Sequence, residues 1–217
     1  FPSGGVKGKL VVDVLSVKKH AKRTMISALP EHCDILCTHP MFGPESGRYS
    51  WNGLPFLYEK VRVMQQERCD AFLDMWESAG CKMIEMTCEE HDEFAANSQF
   101  ITHLIGRILW QQNLTPTPID TKGFQTVLNL VENTCKDSFD LFFGLYYYNE
   151  HAGGMLQNVR EALARVERQL AAREAYLATT ADVISGQRNK LQEELKMMPE
   201  AMHALNQPHE TGGEEDD

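Results

Sequence analysis

Near Glu89 the hydrophobic period of the chain changes, and this one change restricts its possible folds more than any other feature. Upstream, short apolar runs rich in β-branched residues alternate with helical stretches. Downstream the pattern is helical throughout. Residues 9–15 (KLVVDVL) form a continuous apolar run rich in Val, as expected of a strand buried on both faces of a sheet. A basic helical stretch over 18–29 follows and stops at Pro30. Residues 34–38 (DILCT) read as a second strand, 60–64 as a third, 67–79 as a helix ended by Gly80, and 82–86 as a fourth strand. Strand and helix in alternation predict crossover connections and a parallel α/β sheet of Rossmann type.

Beyond Glu89, residues 91–110 read as one helix that stops before the TPTP segment at 115–118. Residues 123–148 make a second, very apolar stretch, with Leu128, Val131, Phe139, Phe142, Phe143, Leu145 and Tyr146 available for a core. A third runs over 155–197, and Met155, Val159, Ala162, Val166 and Leu170 fall on one stripe. Such a stripe is a core or an oligomer seam, so a homodimer built on these helices is expected. Charge divides at the same place. Residues 1–88 carry 11 basic and 10 acidic side chains, and residues 89–217 carry 10 and 21. Three segments follow: 1–88 as an α/β unit, 89–205 as an all-α unit, and 206–217 as an acidic tail. That tail (NQPHETGGEEDD) has too little apolar surface to offset its ordering entropy, and disorder is expected there.

The net charge of −10, with basic residues scattered rather than striped, lacks the footprint of a nucleic-acid binder. No apolar run approaches the ~18 to 20 residues of a bilayer-spanning helix, so no membrane partner is expected either. The six cysteines, Cys33, Cys37, Cys69, Cys81, Cys88 and Cys135, sit in apolar segments without a CxxC pair and read as reduced, mostly buried thiols. Cys33 and Cys37 have no second pair to complete a zinc site, and no metal is expected.

In doubly wound sheets ligands bind beyond the carboxyl ends of the strands. Ser16 and Lys18 follow the first strand, and His39 follows the second, in ILCTHPMFGPESG. A histidine there can serve as general base or hydrogen-bond acceptor near neutral pH, or can merely end a strand before Pro40; spacing alone does not choose. Glu89, Glu90, His91 and Asp92 can be read as metal ligands, but acids in a first helical turn are already favoured by the helix dipole. His103 can be a core histidine or a pocket residue. No GxGxxG occurs, and Gly4, Gly5 and Gly8 precede a strand instead of linking one to a helix. With Phe1 opening the chain and four strands readable, the first nucleotide-binding half is expected to lie upstream.

Five blocks carry a resemblance: DVLSVK (13–18), DILCTHPMFGPESG (34–47), SWNGLPF (50–56), HDEFAANSQFITHLIGR (91–107) and TKGFQTVLNLVENTCKDSFDLFFGLYYYN (121–149). They closely resemble the plant-type arogenate dehydrogenases of the prephenate/arogenate dehydrogenase family, over roughly residues 9–150. The resemblance implies a Rossmann-type domain followed by a helical dimerisation domain. It also implies NADP-dependent oxidative decarboxylation of arogenate to tyrosine, in plastids. His39 then matches the histidine that accepts a hydrogen bond from the substrate's ring hydroxyl, and Ser16 the serine that bonds this histidine beside the nicotinamide. Gln99 and His103 match substrate-facing positions, Lys122 is a candidate for a substrate carboxylate, and Asp137 matches an acidic residue that goes with the ammonium group of arogenate. Against this, Asp137 can simply cap a helix through DSFDL. Two other readings stay open: a prephenate-preferring enzyme with the same chemistry, and a non-catalytic dimerisation or regulatory module without the glycine-rich loop.

Overall fold

The computed structural model of the chain describes residues 5, 6, 8–43 and 46–197; the tail expected at 206–217 lies outside them. Two compact units are present, Phe1–Arg160 and Glu161–Asp217. The first holds a four-stranded sheet of β1 (Leu10–Asp13), β2 (Asp34–Pro40), β3 (Pro55–Arg62) and β4 (Lys82–Glu85), in that spatial order. Helix α1 (Lys18–Ala28) crosses between β1 and β2, and α2 (Gln66–Ser78) between β3 and β4, so both of these pairs are parallel. The expected α/β architecture is therefore present, with one departure. β2 and β3 pair antiparallel, and among the described residues of the 41–54 connection no helix carries the chain back across the sheet. β3 also starts at Pro55, earlier than the strand expected at 60–64.

Alternate residues of β2 send the sheet's two faces into separate cores. Leu36 packs with Phe56, Cys69, Leu73 and Cys81 on the α2 side, while Ile35 packs with Leu29 and Cys33 on the α1 side. Helices thus cover both faces, which is why six of the seven residues of β2 are buried. Five cysteines are buried and Cys135 is partly so; all six are free thiols.

The helical run begins at α3 (Cys88–Ala95), whose start is closed by a capping box between Thr87 and Glu90. A π turn over Ala96–Phe100 joins it to α4 (Ile101–Trp110). The single stretch expected over 123–148 is instead two helices, α5 (Lys122–Cys135) and α6 (Phe139–Tyr147), because Ser138 caps a new helix by accepting from Leu141 N at 3.1 Å. The break resets the helical phase. Val131 and Leu145 are buried as core, whereas Phe139 and Phe143 of the expected core are exposed. Close approach of α4 to α5 depends on Gly106, where a Cβ would lie 2.0 Å from Thr134 Oγ1. Val17, Phe100, Leu104, Leu145 and Ala152 form the core that joins α1, α4, α6 and the first residue of α7 (Ala152–Lys196).

The second unit is helical over 161–196. Leu163, Leu170, Leu177, Ile184 and Leu191 recur there every seven residues and are all exposed.

Candidate active site

β2 runs out at His39–Pro40, and the chain turns away through Met41–Gly43. His39 is 4% exposed, on the same face of β2 as Ile35 and Cys37. This face looks towards α3, whose capping box directs Glu90 back at its own N-terminus while His91 and Asp92 turn inward. His39 Nδ1 lies 2.9 Å from His91 Nε2, and His91 Nδ1 lies 2.8 Å from Asp92 Oδ1. Asp92 also receives the backbone N–H of Lys18 on Oδ1 at 2.8 Å and that of Lys19 on Oδ2 at 2.9 Å. The start of α1 has no cap of its own, since Val17 offers no side-chain acceptor. A carboxylate from α3 does that work across the fold.

Burial is the main reason that the His39 imidazole is held down to about 3, with neighbouring His91 and Lys18 adding to the effect and Asp92 opposing it. His39 is therefore a neutral hydrogen-bond acceptor at physiological pH. Lys18 does not reach the cleft. It is fully buried, pairs with Asp13 and donates to the carbonyl of Thr38, which ties β1 to β2.

His39 opens onto a cleft of about 630 Å³ lined by Ser16, Gln99, His103 and Asp137, together with Met41, Phe42, Ser98 and Thr102. Five of the six residues singled out from sequence meet here. Ser98, Gln99, Thr102 and His103 share one face because the π turn feeds directly into α4. Gln99 Oε1 and His103 Nδ1 are buried without a hydrogen-bond partner among the described residues. His103 Nδ1 stands 3.9 Å from Asp137 Oδ2, too far for a hydrogen bond. Burial, aided by Arg107 and opposed by Asp137, keeps the His103 imidazole below its ordinary range. Asp137 sits in the break between α5 and α6. Ser138 provides the helix cap, so the Asp137 carboxylate stays free to face the cleft.

Two of the expected residues are placed differently from the rest. Lys122 is the first, exposed residue of α5. Fourteen residues of helix place it on the order of 20 Å along the axis from the Asp137 end, outside the lining of the cleft. Ser16 lines the cleft, but no hydrogen bond joins it to His39 among the described residues; the partner of His39 Nδ1 is His91. Ser16 also lines a second, more apolar cleft of about 500 Å³ formed by Val14, Leu15, His20, Leu141 and Tyr148.

Arogenate dehydrogenase 2, chloroplastic, of Arabidopsis thaliana is 53% identical over 168 residues, covering 76% of this chain and 47% of its own length. The chain belongs to the prephenate/arogenate dehydrogenase family. Arogenate dehydrogenase 1, chloroplastic, of the same plant is 51% identical over 168 residues and 26% of its length. This member of the family thus spans about half of the first relative and a quarter of the second. Residues 108–181 match the family model described as TYRAAT1-like, C-terminal domain. Among solved structures, Synechocystis arogenate dehydrogenase aligns with a TM-score of 0.56 at 17% identity, covering 84% of this chain and 69% of that one. Prephenate dehydrogenase from A. aeolicus, in complex with hydroxyphenyl propionate and NAD+, aligns at 0.57 and 16%, with 84% and 66% covered. These likenesses establish that the chain has the fold of the family's structures.

His91 and Asp92, which the sequence offers only as possible metal ligands, are instead buried beside His39. The available signal was a His–Asp pair one position inside a capping box, where Thr87 and Glu90 already satisfy the helix start and Glu89 pairs with Lys22. No group of three or more His, Cys, Asp or Glu converges to hold a metal among the described residues.

Proposed function

We propose that this chain supplies the hydroxyl-activating and substrate-binding part of an NADP-dependent arogenate dehydrogenase, which oxidatively decarboxylates arogenate to tyrosine. In this reading residues 1–88 belong to the nucleotide-binding domain and 89–205 to the helical domain. One observation carries the proposal: Asp137, with the unpartnered Gln99 Oε1 and His103 Nδ1, faces the same cleft as the neutral His39. One end of that cleft accepts a proton. The other offers a carboxylate and a buried amide oxygen, which suit an ammonium group.

The substrate is a cyclohexadienol that carries a ring hydroxyl and, opposite, a carboxylate. His39 accepts the hydrogen bond of the hydroxyl and takes its proton as the hydrogen on the same carbon leaves as hydride and carbon dioxide departs, with aromatisation as the driving force, and then gives the proton back to the phenolate oxygen of tyrosine. Gln99, His103 and Asp137 hold the amino-acid side chain, and placement is their contribution. A carboxylate and an ammonium about 4 Å apart attract by about 4 kcal/mol at intermediate polarity, before desolvation is counted. Prephenate has a ketone at that position and would leave the carboxylate unpaired.

The described residues fit one end of a nicotinamide cofactor. Val14 and Leu15, more than half exposed at the end of β1, stand beside Ser16 and suit a flat ring. Ser16 would hold that ring near His39. Hydride acceptance is the chemistry the nicotinamide supplies when bound. No strand-to-helix glycine turn for a pyrophosphate occurs among the described residues, so this chain's contribution is at the nicotinamide end.

The names of the Arabidopsis relatives support action in plastids. A homodimer through the helices is supported by the seven-residue spacing of exposed Leu163, Leu170, Leu177, Ile184 and Leu191. The test is NADP reduction by the full-length protein, offered arogenate and, separately, prephenate. Strong turnover of arogenate with little of prephenate is expected. Equal or better turnover of prephenate overturns the substrate assignment. No turnover of either favours the non-catalytic module.

A further inference from the structure

We propose that His91 and Asp92 act through His39 as a buried proton relay, which fixes the tautomer of His39 and receives the proton that the substrate hydroxyl gives up. The proposal rests on reading the cleft as the place where that hydroxyl is deprotonated. Its geometric part stands on the fold alone.

The argument starts at Asp92. Its carboxylate accepts from two backbone N–H groups at the start of α1, so its orientation is fixed from outside the site. A carboxylate in this role only accepts, and His91 Nδ1, 2.8 Å away, must therefore carry a proton. Neutral His91 then has its lone pair on Nε2. That lone pair faces His39 Nδ1 at 2.9 Å, so His39 Nδ1 must be the donor. His39 Nε2 is left as the unprotonated nitrogen and is available to the cleft that His39 lines. With His91 neutral, the chain of acceptor and donor roles has one solution, and it leaves His39 as a base.

Burial supports the same conclusion. His39, His91 and Asp92 are each at most 4% exposed, and the two imidazole rings meet edge to face with centroids 5.0 Å apart. An isolated imidazolium in such a place is costly. When the substrate's O–H bond breaks, its proton forms the Nε2–H bond of His39. The Nδ1–H bond of His39 then breaks as that proton moves to His91 Nε2. The positive charge comes to rest on His91, directly beside the Asp92 carboxylate. Before product leaves, the proton returns along the same path through His39 Nε2 to the phenolate oxygen, so tyrosine keeps its hydroxyl and no proton is gained or lost over the reaction. An imidazolium paired with a carboxylate costs far less than one alone. Asn149 steadies the turn by donating to the Asp92 carbonyl oxygen at 2.8 Å.

His91 and Asp92 touch no substrate in this scheme and are positioning residues. The groups that face His39 and shape its titration are Lys18 from α1 with its partner Asp13, His91 and Asp92 from α3, and His103 and Asp137 across the cleft.

The test uses the full-length protein. Nitrogen NMR of the wild type with labelled histidine is expected to show His39 and His91 both protonated on Nδ1 at neutral pH. A His39 protonated on Nε2 overturns the proposal, and this arm is independent of whether the protein turns over arogenate. In kinetics, His91→Leu removes the acceptor. It is expected to lower kcat by about 100-fold, to leave KM for arogenate within about twofold, and to shift the acidic limb of the kcat profile. His91→Gln can still accept from His39 Nδ1 but cannot take a proton, and an intermediate loss of about tenfold is expected. Folded variants with wild-type kcat and an unmoved acidic limb overturn the relay. A wild type inactive on both arogenate and prephenate overturns the proposed function instead, and the tautomers still decide the relay.

Discussion

Arg107 Nη2 donates to the carbonyl oxygen of Asp137 at 2.8 Å, so the carboxylate read as selecting substrate hangs from a backbone that α4 holds in place. The same nitrogen reaches the Ser138 carbonyl at 3.1 Å, and the guanidinium lies over the rings of Phe139 and Phe142, 5.6 and 5.0 Å from their centroids. One side chain thus joins α4 to the break between α5 and α6. Arg107→Met keeps most of the packing and loses both hydrogen bonds. About 1–2 kcal/mol of stability should go, along with about tenfold in kcat/KM for arogenate, read from denaturant unfolding and steady-state kinetics.

Asp137→Asn removes the charge while leaving the Ser138 cap intact. The expected outcome is a fall of about 10- to 100-fold in kcat/KM for arogenate, with prephenate unchanged or improved. A variant that kept its full preference for arogenate in a two-substrate assay would falsify the selective role.

Gly106→Ala forces a Cβ to within 2.0 Å of Thr134 Oγ1 and 2.9 Å of Thr134 Cβ. The helices α4 and α5 must separate, at a cost of about 1–3 kcal/mol. Pairing it with Thr134→Ala removes the hydroxyl and should restore part of the loss. Thermal midpoints of the single and double variants check this, and equal midpoints for the two would sink the steric account.

Stability should fall with acid over an unusually high range. His39 is held down to about 3 in the folded chain, against about 6.5 when unfolded, so the unfolded chain binds more protons between these values. The contribution of neutral His39 is complete above about pH 6.5 and declines as pH drops towards 3, by up to ~1 kcal/mol per pH unit. His103 is shifted in the same direction by its burial. The lowered carboxylates Glu59 and Glu90 act in the same sense only at lower pH. Denaturant midpoints from pH 7.5 to 5 should therefore slope downward, and His39→Gln should flatten that slope. Parallel slopes for the two proteins would remove His39 as the cause.

Part of the site is legible along the chain because two of its residues stand at places that local rules mark. Ser16 and His39 lie at or just beyond strand ends, whereas Gln99, His103 and Asp137 are legible only through the blocks that resemble plant-type arogenate dehydrogenases. Lys122 comes from the same resemblance and stands far from the cleft because fourteen residues of α5 intervene. Local position nominates a residue. Only packing brings it to a neighbour.

By itself the sequence determined the change from strand-and-helix to all-helix, the four strands, the helices on both faces of the sheet and the candidate base, since hydrophobic period and strand ends are properties of short segments. Three things waited for the tertiary structure. The antiparallel return of β3 depends on a connection with no helix among its described residues, the freeing of Asp137 depends on Ser138 taking the cap, and the partner of His39 is His91, 52 residues away in the chain. That last contact exists because β2 and α3 are pressed together by cores that neither segment contains alone. The protonation of the base follows from that contact, since the tautomer of an imidazole is set by what its other nitrogen meets in space.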